Sequence, residues 1–264
     1  MSYRNAKLWT LPGLGANMML ALAFLYLPIV LLVLFSFNAN KVATMWTSFT
    51  LDWYRVVFNN PDILRATRNS IMVSLVATVV STVCATMAAL AMAGKPFKGK
   101  NTISAVIGLP LLVPEIVTAV ASLLFFLAIG LELGLQTVMI AHIVFCIPFA
   151  YLPIRARLEG MDPRLAEAAS DLYASPWQVF RRVTLPLLMP GVISGAMLAF
   201  IVSFDDFVIT FFVAGPGATT LPVYIYGMVR MGITPEVNAL ASLLLSASMG
   251  VVGLSWWIGQ RDRG

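Results

Sequence analysis

The sequence predicts an all-α integral membrane protein of six transmembrane helices, forming a single transmembrane domain over residues 1–264. Three observations predict it. The chain is 59% hydrophobic and only 11% charged, where a soluble domain carries about 25% charged residues. Its mean hydropathy is +0.88. Its apolar residues also fall into six runs, 17–37, 69–93, 103–129, 135–154, 191–214 and 239–259, each able to supply the roughly 20 residues that one crossing needs.

The elements follow in chain order. Residues 1–16 carry Arg4 and Lys7 and lead into the first run without a small-residue cleavage site after it, as a retained helix does and a removed signal peptide does not. Between the first two runs, Trp46, Phe49, Trp53, Tyr54 and Phe58 are interleaved with polar residues. That pattern suits an interfacial helix facing an external partner, or an aromatic belt at the lipid headgroups. Cys84 and Cys146 both lie inside runs, where cysteine behaves as a small apolar side chain and no disulfide framework is indicated.

The loop after the second run contains GKPFKGK at Gly94 to Lys100, which matches the first seven positions of the phosphate-binding loop pattern. Its eighth position is Asn101 where a serine or threonine should meet magnesium, and no strand precedes it. The lysines read instead as the anchor of a short loop. If ATP drives this protein, another polypeptide binds it.

Basic residues set the orientation. With the N-terminus in the cytoplasm, Arg4, Lys7, Lys95, Lys98, Lys100, Arg155, Arg157, Arg164, Arg181, Arg182, Arg261 and Arg263 fall inside, against Lys41, Arg55, Arg65, Arg68 and Arg230 outside. The positive-inside rule therefore places both termini and the loop around 162–190 in the cytoplasm. This bias accounts for the net charge of +5, so the basicity is not read as nucleic-acid binding.

Polar residues at membrane depth are costly, and three acids stand there: Glu115 in the third run and Asp205 and Asp206 in the fifth. A carboxylate costs about 2.5 to 3.5 kcal/mol at mid-bilayer on insertion scales, so each should face protein or a wet cavity. The two aspartates differ by about 100° around a helix and need not share a cavity. Asp206 continues the small-residue face of Gly191, Gly195 and Ala199, which lets helices approach closely. Pro114 should bend the third crossing. Acids without a compensating lysine or arginine suggest a route for a cation, or carboxyls that hold helices together. His142 is expected only to donate a hydrogen bond between packed helices.

The loop at 162–190 reads as two short helices. Asp162 and Pro163 start the first, and Ser175, Pro176 and Gln178 start the second as a capping box. Leu165, Ala168, Ala169 and Leu172 share one face, as do Trp177, Phe180 and Val183. These stripes need a groove, in this chain or in another. Beyond the fifth run, GPGATTLP ends the helix, VYIYGMVRMG forms a short external helix with Tyr224 and Tyr226, and Thr234 and Pro235 start the last crossing.

Glu167, Ala168 and Ala169, with Val183, Leu185 and Pro186 downstream, resemble the EAA loop of ABC importer membrane subunits. The chain departs at Tyr173, where that family usually has glycine, the residue that adopts a left-handed turn at little cost. The SFN at 36–38, FTLDWY at 49–54, HIVFCIPF at 142–149 and SFDDFVITFFVAGPGATTLP with the downstream MGITPEVNALA are similar to putrescine and spermidine importer permeases.

The resemblance implies a type I ABC importer permease fold in a bacterial inner membrane. It implies that residues 155–190 form a cytoplasmic coupling loop, with Glu167, Ala168, Ala169, Asp171, Leu172, Tyr173 and Ser175 against an ATPase dimer that alone holds ATP and magnesium. A homologous second permease, giving a heterodimer, and a periplasmic polyamine-binding protein complete the expected complex. Polyamines would cross by alternating access past Glu115, Asp205 and Asp206; the residues themselves let Tyr224 and Tyr226 serve either cation–π attraction beside that route or anchoring at the lipid interface. The chain itself is expected to have no catalytic residue, metal or cofactor. The alternatives are an importer for another solute, or a proton-coupled transporter that works without an ATPase.

Overall fold

In the computed structural model, residues 14–40, 45–93, 97–232 and 234–261 are described. The expectations for Arg4, Lys7, Lys41, Lys95, Arg263 and both termini lie outside these residues. Every regular element among them is helical. The chain divides into two compact units, Met1–Asn60 with Gly227–Leu245, and Pro61–Tyr226 with Ser246–Gly264.

In the first unit, α1 (Leu14–Phe35) is apolar on all sides and largely exposed, as a helix bathed in hydrocarbon is. Its end is tied by buried polar residues. Ser36 shares a hydrogen bond with the Tyr54 hydroxyl at 2.7 Å. Asn38 donates to the Met45 carbonyl at 2.7 Å and accepts from the Thr47 amide at 3.1 Å. Trp53 Nε1 donates to the Asn38 carbonyl at 2.8 Å, and Phe37 stacks on Phe49. Trp53 and Tyr54, on α2 (Asp52–Asn59), thus fasten the segment to α1, while Trp46 and Phe49 stay exposed.

The second unit is built on α3 (Pro61–Ala93), α6 (Leu135–Glu159) and α9 (Leu185–Asp205), which pack on one another in all three pairings. Their seam is made of small residues: Ala77, Ala85, Ala150 and Ala199 are fully buried. A Cβ on Gly195 would stand 2.6 Å from the Ala150 carbonyl, so only glycine lets α6 and α9 come this close. On the far side of the bundle, Asn69 of α3 donates to the carbonyls of Gly217 and Thr219, and Ser70 accepts from the Leu221 amide, pinning the 214–220 loop. After it come α11 (Leu221–Met231) and α12 (Pro235–Arg261), the latter starting at Pro235 as expected.

Two expected crossings are not continuous helices. The run at 103–129 is α4 (Lys100–Leu112) and α5 (Glu115–Ala128), bent by 109°. Val113 is extended, with φ −83° and ψ 133°, because the ring of Pro114 excludes the helical region for the residue before it. The run at 191–214 stops at Asp205 and resumes as α10 (Val208–Val213), with Asp206 extended between them. Among the described residues, four helices are long and apolar enough to cross a membrane, or five if the bent α4–α5 pair counts as one.

Replacing Gly195 by alanine should therefore cost about 1–3 kcal/mol through overpacking. Gly108→Ala, in α4 with nothing near its Cβ position, should be neutral or stabilising by about 0.5–1 kcal/mol. Thermal unfolding of the two variants in detergent checks the pair.

Candidate functional site

The two interrupted crossings meet. Glu115 opens α5 directly after Pro114, Asp206 precedes α10, and α5 and α10 pack through Ala119, Phe126, Ile209 and Val213. The Glu115 carboxyl lies within hydrogen-bonding reach of Asp206. Asp206 caps the new helix, accepting from the Ile209 amide at 3.2 Å and the Thr210 amide at 3.0 Å. Its second oxygen also takes the Thr210 hydroxyl at 3.1 Å and lies 3.1 Å from His142 Nε2. The His142 and Asp206 side chains are 2% and 1% exposed.

On the far edge of the imidazole, Nδ1 lies 2.8 Å from the Ser203 hydroxyl. The set is satisfied when His142 carries a hydrogen on Nε2, toward Asp206, and accepts from Ser203 at Nδ1. A carboxylate so supplied with donors tolerates burial that would otherwise be prohibitive.

The site residues expected from sequence separate into groups. Glu115 and Asp206 come together at the double break, with Glu115 the more accessible of the two. Asp205 is exposed on another side, accepting from the Ser248 hydroxyl at 3.1 Å beside a shallow depression lined by Ile201, Met249 and Val252. Tyr226 packs on Phe207 and Phe211, next to the Asp206 break. Tyr224 lines a separate polar recess with Asp62, Arg65 and Asn69. Sequence reasoning gave His142 no role beyond packing and missed Ser203 and Thr210. Their signal was the spacing of hydroxyls three residues before and four after Asp206 in an otherwise apolar run.

The second set of expected residues forms the loop between α6 and α9. Asp162 accepts from the Arg164 amide and guanidinium, and Arg164 holds its carboxyl below the usual carboxylate range. Next comes α7 (Arg164–Asp171), with Glu167 exposed in its first turn. The capping box forms as read: the Ser175 amide donates to Gln178 Oε1 at 2.8 Å, and Ser175 Oγ accepts from the Gln178 amide. It starts α8 (Pro176–Val179), which continues through a π-helical turn at Phe180–Thr184 into α9.

Tyr173 adopts the left-handed conformation with φ 62°, so the turn that glycine would make is made here by tyrosine. The Ala174 amide donates to the Ala169 carbonyl and the Tyr173 amide to that of Ser170, closing the end of α7. None of the apolar stripe is buried in this chain. Leu172 is 82% exposed, Tyr173 99% and Trp177 65%. Leu165 and Ala168 are exposed as well, while Ala169, Phe180 and Val183 are half-buried, so the chain's own helices cover the two stripes only in part.

This architecture is that of an ABC importer permease. A chain of a bacterial ABC transporter involved in the import of the acidic polysaccharide alginate matches with a TM-score of 0.70 at 17% identity, covering 93% of each chain. The MetNI methionine ABC transporter, in inward facing conformations, matches with a TM-score of 0.64 at 21% identity, covering 75% of this chain and 94% of that one. The chain belongs to the family of binding-protein-dependent transport system inner membrane components, whose family model matches residues 81–258.

Among its relatives, the spermidine/putrescine transport system permease protein PotC of Escherichia coli (strain K12) is 38% identical over 249 residues, 94% of either chain. PotC of Haemophilus influenzae is 37% identical over 94% of this chain and 96% of that protein. The putrescine transport system permease protein PotI of Escherichia coli (strain K12) is 38% identical over 92% of this chain and 89% of that protein. The chain is thus a multi-pass transport component and not an enzyme, and the alternative of a stand-alone proton-coupled transporter falls away.

Two outcomes follow. His142→Leu, which strips a buried partner from Asp206, should destabilise the protein by about 3 kcal/mol or more. Adding Asp206→Asn should then cost much less than its effect alone, and a double-mutant cycle by chemical unfolding measures that coupling. At the loop, Tyr173→Gly should be more stable than Tyr173→Val by about 1–2 kcal/mol, because only glycine adopts the left-handed turn without strain.

Proposed function

We propose that this chain is one of two homologous membrane subunits of a polyamine importer, crossing the inner membrane six times with both termini in the cytoplasm. The observation that carries the substrate class is the likeness along nearly the whole chain to spermidine/putrescine and putrescine permeases. The chemistry agrees with it. Glu115 and Asp206 stand where two crossings are interrupted, and among the described ion pairs neither meets a lysine or arginine. Interrupted helices are where transporters place substrate, and carboxyls with aromatic neighbours are what an alkyl diammonium needs in exchange for water.

In this reading Glu115, half-buried beside a saturated Asp206, is the acid that substrate ammonium reaches. Asp205 lies along a second stretch of the route, and Tyr226 and Tyr224 line the outer approach. The periplasmic binding protein delivers the polyamine. Residues 155–190 form the coupling loop, whose Glu167, Ala168, Ala169, Asp171, Leu172, Tyr173 and Ser175 lie against the ATPase. The ATPase dimer binds ATP and magnesium, and its closure is carried through α7 and α8 into α9. Because α8 runs without a break into α9, and α9 ends at Asp205, next to Asp206, a pull on the loop acts along one rod ending at the acid site.

ATP-driven uptake of labelled putrescine and spermidine into vesicles holding the assembled transporter tests this. Glu115→Ala and Asp205→Ala should each lower kcat/KM at least tenfold, the loss of one charge-assisted hydrogen bond worth about 1.5–3 kcal/mol. Uptake at full rate and normal affinity in both variants would contradict the assigned route. Trp177→Asp should leave the fold intact and uncouple ATP hydrolysis from uptake.

A further inference from the structure

The two ends of the loop between α6 and α9 are joined to the bundle unequally. On one side, α8 passes through the π-helical turn at Phe180–Thr184 into α9 without a break. On the other, α6 ends at Glu159 and a turn at residues 160–163 precedes α7. Movement of the loop therefore reaches α9 through a stiff link and α6 through a soft one. We infer that Arg157 offsets this inequality as a positioning residue: it clasps α6 to α9 at the neck of the loop, so that both helices are displaced together. The inference rests on the coupling role proposed above for this loop.

Three features of the neck carry it. Arg157 Nε donates to the Leu187 carbonyl at 2.9 Å, which joins a residue near the end of α6 to one near the start of α9. Gly191, buried one turn further along α9, makes room for the arginine stem. A Cβ there would stand 2.5 Å from Arg157 Cβ and 3.2 Å from the Pro153 carbonyl, so glycine is what lets the side chain lie against α9 and reach back to Leu187. The third feature is the seam above the neck, built of Ala150, Gly195 and Ala199. Small residues let two backbones approach, but they offer few interlocking side chains against sliding. A charged donor held on a backbone carbonyl supplies the missing resistance, because its bond is directional.

The acid site gives the clasp its purpose. His142 is carried by α6, and its imidazole meets Ser203 of α9 and Asp206 directly after that helix. If α9 moved alone, these contacts would part and a buried carboxylate would lose a partner, which is costly. Passing the displacement to α6 at the neck keeps the cluster intact while it moves. Arg157 stands 15 residues from His142, about 22 Å along the helix, so it acts on transport without touching substrate.

Two measurements on the assembled transporter test this. Spin labels at Val144 of α6 and Met189 of α9, both exposed, with the exposed Cys84 replaced by alanine, report sliding of the two helices by electron spin resonance distance measurement. The distance should be the same without nucleotide and with ATP trapped, and should differ between the two states in Arg157→Met, which keeps the stem and loses the donor. A distance that changes in the protein with Arg157 intact would overturn the inference. In vesicles, Arg157→Met should lower putrescine uptake per ATP hydrolysed about fivefold, the factor of one ordinary hydrogen bond, with KM unchanged. Arg157→Lys, which restores a donor, should recover most of it. Equal losses in the methionine and lysine variants would overturn the clasp, since the bond would then not matter. Full coupling in Arg157→Met while Trp177→Asp uncouples would also overturn it and leave the coupling loop standing. Full coupling in both would contradict the coupling role itself, and the clasp with it.

Discussion

A carboxylate inside hydrocarbon must find donors, and the way Asp206 finds them organises the second unit. The Asp206 side chain is 1% exposed, so its donors come from backbone and neighbouring helices. Asp206 takes the amides of Ile209 and Thr210, which are free only if the helix stops before it and restarts after it. It takes Thr210 Oγ1 and faces the imidazole of His142, which ties α10 to α6. Ser203, the last buried hydroxyl of α9, holds the other edge of that imidazole. One side chain thus ends one helix, starts another and fastens both to a third.

The rest of the bundle is arranged to permit this. Alanine and Gly195 along α3, α6 and α9 bring the helices close enough for short polar side chains to bridge them. Pro114 breaks the neighbouring crossing so that Glu115 arrives beside Asp206 at the head of α5. At the opposite end, the loop turns an apolar surface outward, held in shape by its caps and by a tyrosine in a left-handed turn. Strain kept in an exposed turn with an uncovered hydrophobic side chain fits a segment shaped for a partner.

Much of this was legible in the residues. Helical class and approximate spans follow from run length, and the capping box at Ser175 from its spacing; Asp205 and Asp206 do diverge, but because the helix ends between them rather than through the helical angle. The bend at Pro114 was legible from the proline, but not that it ends one helix and starts another, and the break at Asp206 was not legible at all. A proline or an aspartate inside an apolar run looks the same whether it bends a helix or ends it, and the outcome depends on partners distant in sequence. His142 lies 61 residues from Ser203 and 68 from Thr210, so no local pattern announces that they meet. The fate of the amphipathic loop was likewise a tertiary question, answered by its exposure.

The most direct measurement is the structure of the assembled transporter carrying Asp206→Leu, beside that of Asp206→Asn. If hydrogen bonding by this carboxyl sets the break, α9 should run on past position 206 in the leucine variant, with the amides of Ile209 and Thr210 bonded to carbonyls of their own helix. The asparagine variant, which keeps an acceptor, should keep the break. An unchanged break in Asp206→Leu would show that packing elsewhere sets it, and would contradict the account.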